Sequence, residues 1–266
     1  MTNFAPLAPI LILACLLPAL ASALRGFRDG IGFWAPVLLA LLAALGWSVH
    51  LMAGEWRSGL SSALWVAIAS TLMLYVVLSI RLTEARPLAV LLLPYLGLLA
   101  LFAVIAGLLE RPDPGVHGGG SWIWAHITLA LVTYAALTLA AVAGVGVILQ
   151  DRALRLRRPT VFSRRLPALA VGERLEFRLL AGAFWLLALG VATGMATLHL
   201  ESGRILTFDH KTLLSLLSFL LIGAILLAHR ASGTRGRLAA RLVLLAYMLV
   251  TLGYLGVKLV TGLMLA

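Results

Sequence analysis

The chain has 266 residues, of which 62% are hydrophobic and 12% charged, and its formal net charge is +11. Soluble domains carry about 25% charged residues, so this composition excludes an ordinary water-soluble protein. A membrane-spanning helix needs about 20 apolar residues, and this chain has enough of them for about eight such helices. We therefore predict an all-α, polytopic membrane protein in which residues 1–266 form a single transmembrane domain.

Uncharged apolar runs follow one another along the chain, and each is long enough to span a bilayer. They lie at about 5–24, 34–53, 60–80, 88–109, 122–149, 179–198, 213–229 and 238–264. The first run imitates a secretory signal, but no Lys or Arg precedes it, so we expect a retained helix. None of the runs contains Asp or Glu, the residues that proton-coupled transporters usually carry within the membrane.

Lys and Arg are distributed unevenly between alternate connections of these helices. Sixteen of the 21 fall on one side: Arg25, Arg28, Arg81, Arg86, Arg152, Arg155, Arg157, Arg158, Arg164, Arg165, Arg174, Arg178, Arg230, Arg235, Arg237 and Arg241. Because cytoplasmic loops retain positive charge, this side is predicted to be cytoplasmic. Both termini are then expected on the outer, periplasmic side of a bacterial inner membrane.

The excess positive charge is predicted to face anionic lipid headgroups of the bilayer, so nucleic acid is not an expected partner. The longest and most basic connection covers residues 150–178. Its sequence RRLPALAVGERLEF mixes apolar and charged residues, as an interfacial helix does.

Histidines are concentrated on the predicted outer side. Five of the six fall there: His50, His117, His126, His199 and His210. His126 follows Trp122 by four residues, so the two share a helix face, and it lies about 8 Å below the start of its helix. Neutral imidazole is the commonest ligand for haem iron and several divalent metals. The cluster therefore predicts a haem or metal site, with His126 and His210 as ligands, although a single interfacial histidine would more simply bond to a loop.

Motifs of common enzymes are absent from the sequence. There is no HExxH, no Ser/His/Asp spacing and no phosphate-binding glycine loop. The glycine-rich stretch GVHGGGSW at 115–122 is interpreted as an outer loop. We therefore predict that the protein is not an enzyme.

Three stretches resemble the cytochrome c assembly protein family (CcsA/CcmC/HemX-like), over about residues 60–266. WIWAHITLALVTYAALTLAAVAGVGVIL at 122–149 resembles the family's histidine-bearing helix, with His126 followed by Tyr134-Ala135-Ala136. LPALAVGERLEFRLLAGAFWLLALGVATG at 166–194 is similar to its next helix. LTFDHKTLLSLLSF at 206–219 resembles its tryptophan-rich haem loop, and it keeps Asp209 and Lys211.

The chain also departs from the pattern of that family. Leu206, Phe208 and Phe219 stand where the family has tryptophans, and the segment YLGVKLVTGLMLA at the end lacks its second outer histidine. His229 resembles the family's intramembrane histidine. These departures place the chain closest to the HemX/YpjD-like branch rather than with dedicated cytochrome c synthases.

The resemblance implies haem as a cofactor, bound by His126 together with His50, His199 or His210. Trp122 would lie beside the haem, Asp209 would orient a neighbouring imidazole, and His229 is a further candidate. The leading hypothesis is thus a haem-handling or haem-binding accessory protein linked to cytochrome c assembly or haem homeostasis, with other maturation proteins as partners. Two alternatives stay open: a divalent-metal transport or tolerance protein, and a non-catalytic scaffold of a membrane complex.

The charge distribution makes the topology testable with reporter fusions. Reporters inserted near residues 160 and 235 should be active in the cytoplasm, because both positions lie among the sixteen cationic side chains. Fusions at the two termini should be active outside. A cytoplasmic C-terminus would contradict the predicted arrangement of helices.

Overall fold

The structure is a computed structural model that describes residues 8–25, 30–52, 59–109, 121–158, 163–203 and 209–256. The described residues form eight α-helices and no strand, which confirms the all-α prediction. The helices are α1 (Ala8–Arg25), α2 (Ile31–Met52), α3 (Leu60–Arg81), α4 (Ala89–Leu109), α5 (Ser121–Arg155), α6 (Leu169–Ser202), α7 (His210–Ser232) and α8 (Gly236–Thr251). A π-helical turn, Leu252–Gly256, continues α8.

Seven of these helices, α2 to α8, are long and apolar enough to cross a membrane, judged by length and composition. In α1 the apolar stretch Ile12–Arg25 is shorter. The chain is therefore a multi-pass membrane protein, whereas the sides on which its termini lie stay predictions. His117, Leu206 and Phe208 lie outside the described residues.

Helix contacts divide the chain into two compact units. In the first unit α1 packs against α2 and α4, and α3 packs against the same two helices. In the second unit α5 packs against α6 and α8, and α7 packs against the same two helices. The single transmembrane domain stays a prediction.

The second unit is built around α5. In the most apolar 18-residue stretch of α5, 78% of the residues are buried, compared with 22%, 17% and 28% in the corresponding stretches of α6, α7 and α8. Tyr134 and Leu137 of α5 are almost completely enclosed, and the hydroxyl of Tyr134 lies 3.0 Å from that of Tyr247 in α8. The hydroxyl pair satisfies two polar groups that the apolar interior would otherwise penalise.

Helix α6 begins at Leu169, about three turns earlier than the run predicted from residue 179. Residues 169–177 of the stretch RRLPALAVGERLEF therefore belong to α6 rather than to a separate helix. The location of this stretch at the lipid surface stays a prediction. Its charges did not end the helix, since Arg174 and Arg178 are exposed while Leu175 and Phe177 are buried on the other face. With 34 residues α6 is about 51 Å long, more than the roughly 30 Å of hydrocarbon in a bilayer.

Glu176 lies within the apolar span Leu169–Leu200 of α6, whereas the predicted spans contained no Asp or Glu. It is 0% exposed within α6, and neither carboxyl oxygen has a hydrogen-bond partner among the residues that the structure describes. The carboxyl fits because Gly144 of α5 has no side chain: a Cβ there would lie 2.9 Å from Oε1 of Glu176. The apolar-run criterion missed this group because Glu176 falls between the arginines of a charged segment.

This burial predicts the effect of Glu176→Met, which replaces the carboxyl with an unbranched apolar side chain. Burying a polar group without a hydrogen bond costs about 1–3 kcal/mol, so the variant should raise the free energy of unfolding by about that amount. Thermal unfolding of the purified protein in detergent measures the change. Glu173→Met, three residues earlier at a half-buried position, is the control and should not stabilise the protein. A destabilised Glu176→Met protein would show that the carboxyl has a stabilising partner.

Candidate functional site

A cavity of about 370 Å³ lies in the second unit, where the start of α5, the end of α6, the start of α7 and the π-helical turn after α8 come together. Its volume falls in the range of small-molecule sites, about 300–1,000 Å³. These are the helix ends that the charge distribution predicts to face outward. The lining residues are His126, Ala130, Thr133, Tyr134, Leu187, Gly190, Val191, Gly194, Met195, Leu198, Asp209, Lys211, Thr212, Ser215, Leu216, Val250, Gly253 and Tyr254.

Each helix contributes one stripe of residues to this cavity. In α5 the lining positions begin at His126 and recur at intervals of four, three and one residues, which is one face of an α-helix. In α6 they recur in the same way from Leu187 to Leu198. Helical periodicity thus explains why residues three or four positions apart in one helix line the same cavity.

His126 is held in place by two glycines of α6. Its Nδ1–H donates a hydrogen bond to the carbonyl oxygen of Gly190 at 2.9 Å. The ring also lies against Gly194, where a Cβ would be 3.0 Å from Cε1 and 3.3 Å from Nδ1. Gly190 and Gly194 form a Gly-x-x-x-Gly spacing, which lets neighbouring helices approach closely in membranes. The position of the imidazole therefore depends on the absence of a side chain at Gly194, whereas a Cβ at Gly190 would meet nothing within 4 Å.

The hydrogen bond to Gly190 also determines the tautomer of the imidazole. A carbonyl oxygen only accepts hydrogen bonds, so Nδ1 carries the hydrogen and Nε2 of the neutral ring keeps its lone pair. Histidines that bind metals are commonly oriented in this way, by a backbone carbonyl on the other ring nitrogen. His126 is thus prepared to act as a ligand through Nε2.

Asp209 lines the same cavity and also caps α7. Its Oδ1 accepts a hydrogen bond from the backbone N–H of Thr212 at 2.8 Å, as an N-cap residue does. Hydrogen bonds from the Thr212 side chain and backbone, with smaller contributions from the charges of Lys211 and His210, lower the pKa of Asp209. The carboxylate is therefore ionised at neutral pH, and its role in orienting an imidazole stays a prediction.

The π-helical turn brings Gly253 and Tyr254 to the cavity. Such turns are rare and occur frequently at functional sites. The turn is packed closely against α7, since a Cβ at Gly253 would lie 3.3 Å from Cβ of Leu214. The Tyr254 ring lies 5.9 Å from that of Tyr134, so two aromatic rings line the cavity.

Among the other residues predicted for the site, His199, His210 and Trp122 lie at the same end of the unit but do not line the cavity. All three are exposed, Trp122 by 52%. The convergence of His126 with His199 or His210 on one pocket is therefore not observed. Nor do three or more His, Cys, Asp or Glu side chains come together as a metal site among the described residues.

His50 and His229 lie elsewhere. His50 belongs to the first unit, at the end of α2, where its exposed ring stacks on Trp47 at 5.2 Å. His229 is in the last turn of α7, about 28 Å along the helix from its start. Its Nδ1–H donates to the carbonyl of Thr234 at 2.9 Å, and its ring stacks on Phe177 at 3.6 Å. Neither residue contributes to the cavity around His126.

Several lining residues were not predicted as part of the site. Gly190 and Gly194, which contact the imidazole of His126, could have been found from their spacing, because small residues four apart mark close helix contacts. Thr212, Ser215 and Tyr254 carried no such signal. Only the packing of α7 and α8 brings them to the cavity.

A relative from Azospirillum brasilense is 47% identical over 235 residues, which are 88% of this chain and 86% of the relative. It is described as an uncharacterized 28.8 kDa protein in a nifR3-like 5' region. Two cytochrome c biogenesis proteins CcsA are also similar. That of Parasynechococcus marenigrum is 26% identical over 160 residues, or 52% of each chain. That of a Synechococcus species is 24% identical over 160 residues, which are 52% of this chain and 53% of the relative.

The chain thus spans about half the length of these CcsA proteins. No solved structure matches it. The model of the family described as cytochrome C assembly protein matches residues 57–265, which include all the helices that line the cavity. This chain therefore belongs to the cytochrome c assembly protein family.

Proposed function

We propose that this protein is an accessory haem-handling membrane protein of cytochrome c biogenesis or haem homeostasis, and that it binds haem through His126. The observation that carries the proposal is the hydrogen bond from Nδ1–H of His126 to Gly190, which leaves Nε2 available at a cavity. The family and the CcsA relatives support the link to cytochrome c biogenesis. The HemX/YpjD-like branch and a non-enzymatic role are part of the same proposal.

The lining of the cavity suits haem in two respects. Leu187, Val191, Leu198, Leu216 and Val250 offer apolar surface to the macrocycle. Tyr134 and Tyr254 add aromatic rings, which pack favourably against a planar π-system. Bound haem would supply an iron centre that accepts an axial imidazole nitrogen, whereas the protein's own contribution is to orient His126 and exclude water.

Replacing His126 tests the proposal directly. Protein purified in detergent and loaded with haem should show a Soret band, and His126→Ala should abolish or shift it because the axial nitrogen is lost. His199→Ala and His210→Ala should keep the band, since neither side chain lines the cavity. Equal haem retention by wild type and His126→Ala, at equal folded yield, would contradict the assignment and favour the scaffold hypothesis.

The contact between His126 and Gly194 can be tested without replacing His126 itself. In Gly194→Val the new side chain occupies the position of the imidazole ring, so haem affinity should fall about 10- to 100-fold, as when the support of a metal ligand is removed. Gly182→Val is the matched control, because it alters the same helix where a Cβ would meet nothing within 4 Å. Titration of both variants with haem measures the difference. Equal haem affinities would show that the contact between His126 and Gly194 has no role in haem binding.

A further inference from the structure

We infer, on the basis of the proposed function, that Lys211 binds a carboxylate of the ligand, so that the cavity selects a macrocycle that carries free carboxylates. Haem has two propionate groups at one edge of its ring. In this arrangement the propionate edge lies toward the first turn of α7. His126 holds the metal centre.

The charges of the cavity lining support this role. Lys211 and Asp209 are its two residues with full charges, apart from the titratable His126. Asp209 uses its carboxylate to cap α7 through the N–H of Thr212. Lys211 forms no salt bridge with any residue that the structure describes. Its ammonium group therefore keeps its hydrogen-bond donors for an anionic ligand.

The polar groups of the cavity are also placed unevenly. Thr212 and Ser215 accompany Lys211 on the first turns of α7, and Ser215 follows Lys211 by four residues and so shares its helix face. The lining positions of α6 are apolar or glycine throughout. An amphiphilic ligand matches this division, with its anionic edge at α7 and its apolar body against α6.

The charge of the neighbouring Asp209 opposes the binding of a carboxylate at this end of the cavity. The ionised carboxylate would repel a ligand carboxylate, and its hydrogen bond to Thr212 occupies one N–H at the helix start. The backbone at the start of α7 is thus less available to an anion. Lys211 is the side chain of the lining that can offset this repulsion.

The test compares iron protoporphyrin IX with its dimethyl ester, which has the same iron and ring but no carboxylate charge. Full-length protein in detergent is titrated with each compound, and the Soret band is followed. Four proteins are compared: wild type, Lys211→Gln, Lys211→Arg and Arg230→Gln. The last removes an exposed cation from the far end of the same helix.

Wild type should bind the free acid about tenfold more tightly than the ester, which is the size of one charge-assisted hydrogen bond. Lys211→Gln should lose this preference by weakening only the binding of the free acid, whereas Lys211→Arg should largely keep it. Arg230→Gln should behave as wild type. Added salt should reduce the preference in wild type, because Lys211 is exposed.

Two results would overturn the inference, and they are distinguishable. If wild type binds both compounds through His126 with equal affinity, or Lys211→Gln keeps the preference, the role of Lys211 is wrong and haem binding stands. If wild type binds neither compound, the proposed function fails together with the inference. Size-exclusion profiles and thermal midpoints of all four proteins show whether each variant is folded.

Discussion

The contact between His126 and the glycines of α6 is the constraint on which the candidate site depends. The hydrogen bond to Gly190 orients the ring and assigns its hydrogen, and the bare backbone at Gly194 makes room for it. A side chain at position 194 would close the space. Gly194 lets α6 lie closely against His126 of α5, so the packing of these helices and the position of the imidazole have a common cause.

At the other end of the second unit a glycine likewise makes room for a polar side chain, which there is a carboxyl group. Gly144 of α5 makes room for the carboxyl of Glu176, as Gly194 of α6 makes room for the imidazole of His126. His126 has a hydrogen-bond partner, whereas the oxygens of Glu176 have none in the described part of the chain. A buried polar group without a partner reduces stability. Because Glu176 lies within the apolar span Leu169–Leu200, missing carboxylates no longer weigh against the alternative of a transporter.

The lining of the cavity suits the proposed haem better than a bare metal ion. One imidazole, two aromatic rings and a long apolar wall line it. A divalent ion held by the protein alone needs several ligating side chains, and no group of three is present among the described residues. Family membership supports a role in cytochrome c biogenesis.

The sequence by itself determined the class of fold and the position of most helices, and it identified His126 as a candidate site residue. Membrane-spanning helices can be predicted from hydrophobic runs because each span needs about 20 apolar residues. It did not determine the partners of His126, because His199 and His210 share its predicted side and only packing decides which side chains meet. The continuous α6, the buried Glu176 and the contribution of Lys211 and Tyr254 to one cavity were decided by tertiary structure. The contacts of Glu176 and His126 depend on the distance between α5 and α6 at Gly144 and Gly194, and a glycine has this effect only where a second helix lies against it.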